Sequence, residues 1–213
     1  MPHTVRLESI NAGPLTSLPG HAGRTGIVKT PVAGAVDILP LGLAGDAIGD
    51  LRHHGGHDQA VYLYSAADYA WWSERLGRPC PPGLFGENLT INRWWETPRI
   101  GDRLDFGGVL LELTAPRIPC STLAARMEDP TFVKAFTSAA RPGCYARVLR
   151  EGTLTAGAVA TVQMAPEAFA SVVDVFHLWP DQSPPADRLA AALQAPLASR
   201  ARVKLAGRVR RDS

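Results

Sequence analysis

Thr114-Ala-Pro-Arg-Ile-Pro-Cys120-Ser-Thr122 follows a short apolar run, Val109 to Leu113, that reads as a β-strand. A proline fixes φ at about −65° and pushes the residue before it toward an extended conformation. Pro116 and Pro119 therefore bracket Arg117 on a stiff turn, and Cys120 lies three residues beyond that guanidinium. A nearby cation lowers a thiol pKa and favours the thiolate, the form that attacks or binds a metal. Free cysteine is also among the most buried residue types. The local sequence thus leaves both a structural and a chemical role open for Cys120.

Working back from this turn, Ile100-Gly-Asp-Arg-Leu-Asp-Phe106, two glycines and Val109 to Leu113 predict a β-hairpin. Before it, Leu84-Phe-Gly-Glu-Asn-Leu-Thr90 sets a glycine beside an acid, an amide and a hydroxyl ahead of a short strand. That pattern fits either a ligand edge or a capped turn. Gly77 to Gly83 is a rigid, proline-rich loop that gives Cys80 no role. Ser65 can cap a helix over 66–76, with Tyr69, Trp72 and Leu76 on its core face. Ala60 to Tyr64 is a strand by its β-branched and aromatic content.

The polar cluster Arg52-His-His-Gly-Gly-His-Asp-Gln59 precedes that strand. His53, His54 and His57 lack the spacing and partner ligands of a zinc site. Gly55 and Gly56 let the backbone approach a ligand, with His54 and Asp58 flanking it. Leu41-Gly-Leu-Ala-Gly-Asp46 suggests turns of positive φ and is no dinucleotide fingerprint. Ile27 to Pro31 reads as a short strand, with Lys29 and Thr30 at an end where a cation and a hydroxyl can meet an anion. Residues 4–10 form an imperfect strand, and 11–26 a loop.

Beyond Cys120, Ser121 or Thr122 can cap a helix reaching Glu128, and Asp129 can cap another over 131–138. Gly143 to Leu149 is a strand with Tyr145 and Arg147 on one face and Cys144 in the core. Residues 157–164 make a last strand. After Pro166, proline-separated helices are expected at 166–177, 185–194 and 197–206. This appendage is too short to hold a substantial core alone. It is expected to pack on the main domain or on a second subunit.

Length and composition set outer bounds. At 213 residues and 46% apolar, one domain with a small appendage is expected. No run approaches the roughly 18 consecutive apolar residues of a membrane span, and the N-terminus has no signal-peptide hydrophobic region. Three cysteines are too few for a disulfide framework, so a cytoplasmic setting and no membrane contact are expected. The net charge of +2 is uninformative, but residues 198–213 carry six basic side chains against Asp212. That end is expected to be solvated and partly disordered. Nucleic-acid binding is not expected, for want of aromatic interleaving or a recognition motif.

Five stretches stand in a fixed order: Gly42-Leu-Ala-Gly-Asp46, His54-Gly-Gly56, Phe85-Gly-Glu-Asn-Leu-Thr90, Pro116-Arg-Ile-Pro-Cys120 and Gly143-Cys-Tyr-Ala-Arg147. Together they cover residues 25–163, and in them the chain resembles the MOSC domain (the molybdenum-cofactor sulfurase C-terminal domain), in its stand-alone bacterial YiiM-like branch. The resemblance implies an α+β fold. A mixed β-barrel flanked by helices would span 1–165, and a small C-terminal three-helix extension 166–213. It implies a cleft for the pterin form of the molybdenum cofactor, molybdopterin. Cys120 matches the family's cysteine, proposed to ligate molybdenum or carry sulfur, and thiolate is a soft donor suited to such a centre. Arg117 and Lys29 would hold the phosphate. Thr30, His54, Gly55, Gly56, Asp58, Phe85, Gly86, Glu87, Asn88 and Thr90 would complete the cofactor cleft, with His54 as proton donor.

The activity so implied is reduction of N-hydroxylated compounds of the hydroxylaminopurine or hydroxylamine type. No flavin or ferredoxin-like segment is visible, so electrons would come from a separate donor protein. The alternative is a carrier of cofactor or sulfur that acts through Cys120 without turnover. No pyridoxal-phosphate domain precedes the matching region, so cysteine-desulfurase activity is not expected. The C-terminal helices could join a homodimer.

Overall fold

The computed structural model describes residues 3–50 and 54–209. Seven strands close a barrel: β1 (Thr4–Ala12), β2 (Val61–Ser65), β3 (Leu89–Ile91), β4 (Arg103–Asp105), β5 (Leu110–Pro116), β6 (Cys144–Arg150) and β7 (Val159–Gln163). Their order is β7-β4-β5-β6-β2-β3-β1, and β1 pairs back to β7 through Thr4–Thr161. Neighbours are antiparallel except β2 and β3. That parallel pair needs a crossover, supplied by helix α1 (Ala66–Leu76). The barrel is therefore mixed, as the resemblance implies, and six helices flank it.

Alternation explains the barrel's filling. In β1, Val5 and Leu7 point inward while Arg6 and Glu8 face solvent. From Ser9 onward both faces are covered, because Asn11 and Ala12 gain a second neighbour in Thr30–Pro31. In β6, Cys144 and Ala146 are fully buried in the barrel cluster, while Tyr145 packs outside it. A small sheet (Ala35–Leu39, Gly42–Leu43, Gly152–Thr155) adds Val36, Ile38 and Leu154 to the same core. A second, aromatic core holds Tyr64, Tyr69, Trp72, Phe85, Phe132 and Phe136 between barrel and helices.

Several local expectations are corrected. No strand forms at 27–29: the Thr25 hydroxyl accepts from Ile27 N, and this local turn leaves only Thr30–Pro31 to pair. Helix α2 (Ser121–Met127) takes Cys120 itself as N-cap rather than Ser121 or Thr122. In α3 (Phe132–Ala139) the cap position is Thr131, which Asp129 Oδ1 fastens from outside. Ser65 caps α1 as expected, accepting from Asp68 N at 3.0 Å.

The C-terminal helices are α4 (Val172–Leu178), α5 (Ala186–Gln194) and α6 (Ser199–Val209). The first starts later than expected because Ser171 and Asp174 form a capping box there. Leu189, Ala192 and Leu205 join the barrel's own core cluster, and Ala198 N donates to Thr114 O at 3.0 Å. Asp58 clasps the start of α6, accepting from Ser199 N at 2.7 Å and Ser199 Oγ at 2.6 Å while pairing with Arg147 at 2.9 Å. Burial pushes the Asp58 carboxyl up, but the Ser199 hydrogen bonds and the Arg147 charge hold it below its usual value.

As far as Val209 the basic end is an ordered helix rather than the partly disordered tail expected from composition, with Arg202 and Lys204 still exposed. Arg208 donates to the carbonyls of Leu178 and Trp179, and Arg202 to that of Leu193. Lys204 sits 4.3 Å over the Trp179 ring. These side chains meet carbonyls and a ring that composition does not reveal. Arg210, Arg211 and Asp212 lie outside the described residues. Among the described residues, no helix is long and apolar enough to cross a membrane.

Candidate functional site

Loops beside the barrel converge on a cavity of about 130 Å³. Its charged groups are few and mostly matched. Lys29 and Asp46 form an ion pair whose side chains are 6% and 5% exposed. Burial lowers the Lys29 pKa, and Asp46 works against that shift. Asp46 is itself held by Asn88 Nδ2 at 2.8 Å and Gly13 N at 3.1 Å. Asn88 also accepts from Tyr62 N at 3.1 Å, which ties the pair to β2. Gly86, at φ 82°, lets Ile27 pack closely: a Cβ there would meet Ile27 Cγ1 at 2.8 Å.

Arg117 is different. It is 3% exposed and lines this cavity, and its Nη1 has no hydrogen-bond partner. Among the described residues no carboxylate pairs with it. Its guanidinium lies 5.7 Å from the Tyr62 ring centre and 5.8 Å from that of Phe136. Ring faces stabilise a cation but do not satisfy an N–H. A buried N–H without a partner is costly, and an incoming anion would relieve that cost.

A second cavity, of about 190 Å³, adjoins the first and shares His54, Gln59 and Tyr145 with it. Cys120 lines the second cavity. Burial pushes its thiol pKa up. A hydrogen bond with His54, the Arg117 charge and the Leu123 N–H outweigh that effect and bring the thiol to about 6. His54 Nδ1 lies 3.1 Å from the Tyr145 hydroxyl, which orients the imidazole between the cavities. By contrast, burial holds the Cys144 thiol far above its ordinary value.

The thiol makes a direct prediction. Alkylation of Cys120 by iodoacetamide, read by peptide mass spectrometry, should follow a titration centred at about pH 6. His54→Ala should move that midpoint upward. A natural-protein midpoint near the ordinary thiol value of about 8.5 would refute the electrostatic account.

The first cavity brings together Lys29, His54, Gly55, Phe85, Gly86, Asn88 and Arg117. Other sequence candidates lie elsewhere. Thr30 is exposed and pairs with Ala12. Gly56 is exposed and lines neither cavity, and Asp58 is the α6 clasp. Glu87 and Thr90 are fully buried behind the cleft. Glu87 accepts from Tyr69 Oη at 2.6 Å, Thr90 Oγ1 at 2.8 Å and Gly83 N at 2.5 Å. Burial raises the Glu87 pKa despite these bonds.

Sequence reasoning did not assign Asp46, Gln59, Tyr62, Tyr145, Trp179 or Arg200 to the site. Asp46 and Tyr145 fall inside motifs already quoted, so they could have been found. Trp179 and Arg200 carry no local signal. His53 lies outside the described residues, and His57 is exposed. Among the described residues, no group of three or more His, Cys, Asp or Glu side chains could hold a metal. A metal that brings its own chelator and takes one thiolate needs no such group.

A mixed barrel thus carries two adjoining cavities, one lined by the buried Arg117 and the other by Cys120. The chain belongs to the MOSC domain family, whose model matches residues 50–161. It is 37% identical to the uncharacterized protein YflK of Bacillus subtilis (strain 168) over 153 residues, which is 70% of this chain and 69% of that one. A protein named Reductase from Gibberella moniliformis is 34% identical over 70% of this chain, which spans only 27% of that protein. The crystal structure of YiiM from Geobacillus stearothermophilus superposes with a TM-score of 0.80 at 28% identity, over 96% of this chain and 99% of that one.

Proposed function

We infer that the protein binds the molybdenum cofactor and reduces N-hydroxylated compounds, using electrons from a separate donor protein. The observation that carries this reading is Arg117. A buried guanidinium with an unpartnered Nη1 in a cavity is suited to the cofactor's phosphate, since arginine binds such oxygens bidentately. Cys120 adds a thiolate at neutral pH, a soft donor for a thiophilic metal. The MOSC family and a distant relative named Reductase point the same way.

When bound, the cofactor would supply the redox chemistry: R–NHOH + 2 e⁻ + 2 H⁺ gives R–NH₂ and H₂O. The chain's own residues do the rest. Arg117 holds the anionic end. Lys29 is matched by Asp46, so it shapes the cavity more than it charges it. Tyr145 fixes the His54 ring, and His54 hydrogen-bonds the Cys120 thiol.

The deciding experiment measures molybdenum and pterin in the natural protein and in Cys120→Ala, both purified from a cofactor-competent host. It then follows turnover of 6-hydroxylaminopurine with an artificial electron donor. Cofactor in the natural protein, and turnover lost in Cys120→Ala, is the expected result. Natural protein free of molybdenum and pterin would sink the reading. Persulfide on Cys120 with cofactor but no turnover would select a carrier instead.

A further inference from the structure

We propose that the second cavity is the substrate chamber, and that Trp179 and Arg200 of the C-terminal helices set its preference for flat, ring-bearing N-hydroxylated compounds over small ones. This rests on the reductase reading above and adds to it where the substrate lies and which residues choose it.

The cavity's lining carries the argument. Ile118, Pro116 and Pro119 on one side and Trp179 and Ala201 on the other make it chiefly apolar, with Cys120 in its wall. Its polar groups are His54, Gln59, Tyr145 and Arg200. A few placed polar groups in an apolar lining are the usual make-up of a small-molecule site. An apolar cavity of about 150 Å³ accommodates benzene, so 190 Å³ admits a ring. Hydroxylamine alone would leave most of that apolar surface unused.

Both proposed specificity residues are held in place before any ligand arrives. Lys204 lies over the Trp179 ring at 4.3 Å, and Arg208 Nη2 donates to the Trp179 carbonyl at 2.7 Å. Arg200 Nη1 donates to Gln59 Oε1 at 3.3 Å, across the boundary with the first cavity. Among the described residues no carboxylate forms an ion pair with Arg200, so its remaining N–H groups can meet ring nitrogens. The Asp58 clasp fixes the adjacent Ser199, and with it the start of the helix that carries Arg200. Trp179 offers a ring to stack on, and base–aromatic stacking is tolerant of the base.

Because Cys120 lines this cavity and not the first, occupancy can be read from the thiol. In the full chain produced without cofactor, 6-hydroxylaminopurine should slow iodoacetamide alkylation of Cys120 by about tenfold or more, while inorganic phosphate should not. Arg200→Ala and Trp179→Ala should each lose most of that protection, whereas Val203→Ala, 74% exposed on the same helix, should keep it. In loaded protein, the two site variants should keep their molybdenum and pterin. Their kcat/KM for 6-hydroxylaminopurine should fall about tenfold, with that for hydroxylamine unchanged. Absence of protection in the natural protein, or equal protection in a folded Arg200→Ala, overturns the proposal. Equal losses on both substrates overturn it as well. If protection follows the pattern but the natural protein carries no cofactor, the reductase reading fails while the chamber stands.

Discussion

An Arg117→Met protein is expected to fold at least as stably as the natural one and to be isolated without cofactor. The guanidinium is 3% exposed with Nη1 unpartnered, so in the empty protein its desolvation cost is set against its attraction to Cys120 and Tyr145. Replacing buried charge by an apolar side chain of similar volume is often neutral or stabilising, by about 1–4 kcal/mol. Met also keeps contact with the Tyr62 and Phe136 rings that now flank the charge. Removing one partner of a buried charged contact costs about 2–5 kcal/mol of binding, so anion affinity should fall by more than about 30-fold. Two measurements check this together: the denaturation midpoint, and the molybdenum and pterin content after purification from a competent host. A variant that unfolds, or that retains pterin at the natural level, would refute the role given to Arg117. The same substitution removes a charge that lowers the Cys120 pKa, so the alkylation midpoint should rise as well.

Trp72→Ala is expected to cost about 3–5 kcal/mol of stability, a large share of the roughly 5–15 kcal/mol a domain has. Trp72 is fully buried, and its Nε1 donates to Tyr64 Oη at 2.8 Å. Its ring packs on Phe132 at 5.1 Å, Phe85 at 5.8 Å and Phe136 at 6.0 Å. No neighbour can collapse into the space of an indole without leaving its own contacts, so a cavity remains. Urea denaturation should show a lower midpoint with an unchanged slope. A loss below about 1.5 kcal/mol would mean that the aromatic cluster repacks freely. Phe136 also lies 5.8 Å from the Arg117 guanidinium, so loosening this core should weaken anion binding too.

These two residues mark what could be read from the chain. Trp72 follows from helical periodicity and Arg117 from two prolines, both local signals. The β4–β5 hairpin, the α1 cap and the burial of Cys144 were legible for the same reason. The lining of the candidate site was legible where chemistry and position coincide, as at Cys120 and His54. It was not legible where a polar residue's partner is remote. Glu87 and Thr90 have the types of a ligand edge, yet Tyr69, Gly83 and each other satisfy them. Asp58 looked like a ligand beside Gly56, until Ser199 claimed its carboxylate. Trp179 and Arg200 line one cavity with Cys120 only because α4 packs on β5 and Asp58 clasps the start of α6, packing that no spacing in the sequence encodes.

The Asp58–Ser199 clasp also sets a schedule. Its partners are 141 positions apart, and contacts so distant in sequence are entropically the hardest to close. Ribosomal synthesis delivers His54, Arg117 and Cys120 long before the helix that completes the wall around the thiol. A nascent chain therefore has the cysteine before it has the part of the second cavity's wall that Arg200 and Ala201 supply. Any group that binds beside Cys120 would meet the complete wall only once the start of α6 has docked on Asp58.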